Sequence, residues 1–87
     1  MSDINYDVRP DSDGFTTAVE RALEILTRRE QVAREAYRLA RDEVERAYRD
    51  GGPGTGAYRS AHLEQERSRA AWQEAKQALR QVRELRP

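Results

Sequence analysis

Cysteine is absent from this 87-residue chain, so there is no disulfide framework, no thiol chemistry and no Cys-based zinc site. Long apolar runs are also missing. No stretch reaches seven consecutive apolar residues, which leaves no candidate transmembrane helix and no secretory h-region, and the cytoplasm is the expected location. Aromatics are few, at 7%. Charge of one sign is missing as well: sixteen basic and sixteen acidic side chains give zero net charge. Bulk attraction to nucleic acid or to an anionic membrane surface is therefore not expected. Only 37% of residues are hydrophobic, and twelve of those are alanine. A lone core built from them is thin, because a chain of this size buries only about 60% of its unfolded surface. An elongated or oligomeric protein suits this composition better than a compact globule.

Glycine and proline are scarce in the body of the chain, and where they fall organises it. Phe15 to Tyr48 contains neither, and Val19, Leu23, Leu26, Ala33, Tyr37, Ala40, Val44 and Ala47 recur at helical spacing. The spacing predicts a helix over 15–50. The segment Gly51-Gly52-Pro53-Gly54-Thr55-Gly56 reads as a turn, with Gly51 in the left-handed C′ position and Pro53 blocking resumption. A second helix is expected over 57–86, its seam formed by Tyr58, Ala61, Gln65, Ser68, Trp72, Ala75, Leu79 and Val82. The fold class that follows is all-α: an antiparallel, coiled-coil-like two-helix hairpin. A turn centred near Gly54 sets residue i beside roughly 108 − i. Trp72 then shares the middle layer with Tyr37, and Leu23, Leu26, Val82 and Leu85 gather at the open end, which is expected to be the most apolar part.

The helix start lies between Asp13 and Thr17, where Thr17-Ala18-Val19-Glu20 matches a capping box. Residues 1–14 are acidic, with four Asp against Arg9, and read as a disordered tail. Within it, Ile4-Asn5-Tyr6-Asp7-Val8 alternates apolar and polar residues. Tyr6 and Val8 could thus add as a strand to a partner's sheet edge.

The first helix is apolar over more than one seam. Ala18, Ala22, Ile25, Val32, Ala36 and Leu39 form a second stripe, rotated by roughly 100° from the first. One partner helix cannot cover both. Ile25, Val32 and Leu39 are accordingly the expected partner-binding face, with a second copy of the chain as its expected occupant in a dimeric four-helix bundle; a different protein is the other possible partner.

Candidate chemical sites are weak. His62 and Glu66 have a two-ligand spacing, but a metal site needs three or four ligands, and no metal or other cofactor is expected. The glycine-rich turn lacks the Gly-Lys-Ser/Thr ending of a phosphate loop. Glu20, Glu24, Glu64, Glu66 and Glu74 lie on a hairpin with no cleft in which a carboxylate pKa could be displaced. Glu30 differs because it falls on the main seam between Leu26 and Ala33. There it either pairs with an Arg and fixes register, or snorkels beside the seam. Arg80, Arg83 and Arg86 repeat every three residues and form a possible anion-binding row, although cations there also suit the negative end of a helix.

In size and hairpin form the chain is similar to the small substrates of type VII secretion. Those proteins carry Trp-x-Gly in the turn. Here the turn has no Trp, Trp72 is followed by Gln73 and Glu74, and Tyr58-x-x-x-His62 is not their Tyr-x-x-x-Asp/Glu signal. The resemblance ends at shape. The expected function is that of a small non-enzymatic protein-protein interaction module, an adaptor or regulator. The alternatives are a nucleic-acid-associated protein using the Arg-rich second helix and a metal-binding helical-bundle protein.

Overall fold

The computed structural model describes residues 9–85, with side chains from residue 14 onward. Helix α1 runs Arg9–Gly51 and helix α2 runs Gly56–Arg83; they pack against each other as a hairpin, and the described residues form no strand. The expected two-helix hairpin is therefore the observed fold. The rod measures 75 × 16 × 15 Å, a width set by two helices side by side.

α1 begins earlier than the capping box suggests, at Arg9. Pro10 is compatible with this, because the first turn of a helix needs no N–H from it. Residues 9–14, expected in the tail, are thus part of the helix; Tyr6 and Val8 lie outside the described residues. At its other end α1 runs one residue further than expected, through Gly51. It is Gly52, at φ 87°, that takes the left-handed conformation, and its amide donates to the Tyr48 carbonyl at 2.9 Å. Gly51 has a different task. A Cβ there would come within 2.8 Å of Thr55 Cγ2, so glycine allows the chain to double back closely.

Thr55 starts α2. Its hydroxyl accepts from the Tyr58 amide at 3.1 Å and donates to the Gly52 carbonyl at 3.0 Å, tying the new helix to the end of the old one. This N-cap satisfies a backbone donor that the helix cannot reach. α2 ends at Arg83, earlier than the expected 86, with Glu84 capping by donating its amide to the Arg80 carbonyl.

Both seams follow a strict seven-residue repeat. With Leu23 assigned to position a of a heptad, the α1 seam alternates a (Leu23, Glu30, Tyr37, Val44) and d (Val19, Leu26, Ala33, Ala40, Ala47). The α2 seam alternates Tyr58, Gln65, Trp72, Leu79 with Ala61, Ser68, Ala75, Val82. A seven-residue repeat is the sequence pattern of a left-handed coiled coil. Tyr37 stacks on Trp72 with ring centroids 5.5 Å apart, and Tyr48 meets Tyr58 edge-on at 6.0 Å. These contacts set the antiparallel register within two positions of the expected one.

The best-covered part of the seam is not its most apolar part. The buried residues are Val19, Ala40, Ala47, Ala61, Ser68, Ala75 and Leu79, so the alanine half of the seam is the best covered. At the open end Leu23 and Leu26 are only half-buried, and Leu85 is 56% exposed. Small side chains on both helices bring the backbones together and are then wholly covered, whereas the longer leucines protrude past the interface of only two helices.

Candidate interaction surface

Three of the large apolar residues of α1 that α2 leaves uncovered share one face. Ile25, Val32 and Leu39 occupy successive c positions and are 51%, 64% and 55% exposed. The g positions beside them hold Ala22, Arg29 and Ala36. In heptad geometry c and g together form a second seam about 100° from the a/d seam. α1 is thus a two-faced helix with one face occupied. Scattered exposed apolar residues are ordinary on any protein surface; these three repeat every seven residues, about 10 Å apart along one side of the helix, with Arg29 between the first two.

On the a/d face of α1, toward α2, lies a polar cluster that the sequence only half announced. Glu30 accepts a hydrogen bond from the Trp72 indole Nε1 at 2.8 Å, and Lys76 Nζ lies 4.3 Å from the centroid of the same indole ring. Glu30 is half-buried. Its partner is Trp72 across the seam, which is neither of the two expectations, an Arg partner or a side chain snorkelling beside the seam. Glu30 also lines a groove with Lys76, Leu79, Arg80 and Arg83. Arg80 and Arg83 thus share their groove with a carboxylate, which disfavours a phosphate there. Arg86 lies outside the described residues.

The remaining ion pairs are local and exposed. Arg38 donates to Glu35 and lies 3.5 Å from Asp42; Arg46 pairs with Glu43 at 2.8 Å. The Arg38 hydrogen bond and charge hold the Glu35 carboxyl below its ordinary pKa, and the Glu35 hydrogen bond and charge in turn raise that of Arg38. Pairs this exposed keep the helix soluble more than they stabilise it. Among the described residues no three of His, Asp and Glu come together as a metal-binding group, and no helix is long and apolar enough to cross a membrane. His62 is exposed and stands beside Tyr58, ring centroids 5.9 Å apart.

A second feature escaped the sequence reading. Tyr48, Tyr58 and His62 form an aromatic ladder near the turn, bordered by Leu63, which is 61% exposed. The signal for it was present: Tyr48 stands at e beside the seam and Tyr58 at the facing a position, so their rings must meet once the register is known. Comparison with family models, with curated proteins and with solved structures finds no match for the chain.

Proposed function

We propose that the hairpin is a small non-enzymatic protein-protein interaction module, an adaptor or regulator, that recognises a helical surface through the c/g seam of α1. The observation that carries this reading is the exposure of Ile25, Val32 and Leu39 on a face of α1 that α2 does not cover. A two-helix hairpin buries little, and a third or fourth helix on this ridge supplies the missing apolar contact. Self-association into a four-helix bundle is the assembly the surface fits most simply.

The test is mass in solution by light scattering coupled to size exclusion, on the wild type and on Ile25→Asp/Leu39→Asp. The wild type is expected at twice the 10.1 kDa chain mass, and the variant at the chain mass with its helical content kept. A variant that matches the wild type in mass, and also captures the same proteins from solution, would remove the c/g seam as the recognition surface.

A further inference from the structure

Flanking the exposed seam, the f positions of α1 carry Arg21, Arg28, Glu35 and Asp42 in that order, all exposed. Two basic residues followed by two acidic ones, each seven apart, form a stripe that is complementary to itself when reversed. We propose that the occupant of the c/g seam is a second copy of this chain, docked antiparallel through α1 in one register, with Arg28 opposite Glu35 of the second copy and Arg21 opposite its Asp42. This rests on the reading of the seam as an interaction surface given above and adds to it the partner, the orientation and the register.

In antiparallel coiled coils the core positions meet in mixed layers, and flanking positions of one kind meet their own kind. The register that pairs Arg28 with Glu35 also sets Ala22 against Leu39 and Ile25 against Ala36 in the seam. Each large side chain thereby faces a small one, which keeps the two helices at an even spacing. Arg29 meets Val32 near the two-fold axis, where its aliphatic stem covers apolar surface and its guanidinium reaches water. By symmetry every contact occurs twice, as an isologous interface requires.

Competing arrangements are worse for a stated reason. Sliding one heptad in one direction sets Arg28 against Arg28; sliding the other way sets Glu35 against Glu35 and Arg21 against Arg49. A parallel, in-register pair buries Arg29 against Arg29 in the seam itself. Like charges juxtaposed across an interface oppose it, and this is how charge patterns select one partner geometry. Arg38 already contacts Glu35 and Asp42 within the chain, but each carboxylate has several acceptor sites and serves a second Arg without releasing the first.

The experiment uses the full chain in two charge-swapped forms, Arg21→Glu/Arg28→Glu and Glu35→Arg/Asp42→Arg. Each turns the stripe to a single sign and is expected to run at the chain mass, with the dissociation constant of the dimer raised roughly a hundredfold. Mixed in equal amounts, the two forms are expected to recover a 1:1 dimer, because all four flanking pairs become complementary again; that recovery also shows that both variants are folded. Orientation is read separately. A spin label on Arg49→Cys, in a chain with no other cysteine, is expected about 50 Å from its mate in the antiparallel register and within about 20 Å in a parallel one. Charge-swapped forms that stay dimeric, or a short label distance, overturn this register while the Ile25→Asp/Leu39→Asp result still decides the seam. A wild type that is monomeric at all concentrations overturns the self-pairing and leaves the seam to a protein of different sequence.

Discussion

Glu30 and Trp72, 42 positions apart in sequence, are joined by a hydrogen bond of 2.8 Å from the indole nitrogen to the carboxylate. The bond crosses the seam and can form in one register only. A slip of one heptad moves Trp72 about 10 Å along the axis and leaves a half-buried carboxylate without its donor. Stacking on Tyr37 and the approach of Lys76 mark the same position. A seam otherwise rich in interchangeable alanines thus has one layer that is not interchangeable.

Glu30→Ala and Trp72→Phe are each expected to destabilise the hairpin, and a double-mutant cycle between them to give a coupling of about 1 kcal/mol. Glu30→Leu tests the purpose of the layer. It is expected to preserve or raise the melting temperature while loosening register, read as broadened amide resonances along α2. Sharp, unshifted resonances would show that the alanine layers alone define the alignment.

At the turn, Gly52→Ala places a side chain at φ 87° and is expected to cost about 1–2 kcal/mol. Thr55→Ala removes the α2 cap and is expected to cost about 1 kcal/mol, whereas Thr55→Ser keeps most of it. Thermal melts followed by circular dichroism distinguish these cases. Gly54→Ala is the control, since a Cβ there meets nothing within 4 Å; a loss as large as that at Gly52 would contradict the assignment of the strained position.

Within the seam, Ala40→Leu inserts bulk where the helices are closest and is expected to cost about 1–3 kcal/mol. Ser68→Ala acts in the opposite sense. It removes a hydroxyl from a buried position and improves helix propensity, with an expected gain of about 0.5 kcal/mol. Urea titrations of both variants against the wild type measure the two signs; a neutral Ala40→Leu would mean that the helices are further apart than their burial indicates.

The hairpin was legible in the sequence because its signals are local: the absence of Gly and Pro from Phe15 to Tyr48, the cluster of both at 51–56, and apolar residues at helical spacing. The Tyr37–Trp72 layer followed from the loop centre by counting. Two things did not follow. The start of α1 was masked by a capping box at Thr17 that the helix runs straight through, since such a motif satisfies amides only where a helix in fact ends. The partner of Glu30 was sought among arginines because charge suggests charge, whereas which side chain lies opposite depends on a register that composition does not reveal. Ile25, Val32 and Leu39 were identified as an outward stripe, and their exposure agrees, because angular position on a helix is set by residue number alone.

The two seams of α1 share the same seven-residue period, and this has a mechanical consequence. An isolated helix drifts about 20° per heptad away from such a repeat and must be slightly overwound to follow it. α2 imposes that winding along one face, and the c/g ridge on the other face inherits it. A helical partner arriving there meets a rail already curved to its own path, so the distortion that two free helices must share on meeting is complete before the encounter begins.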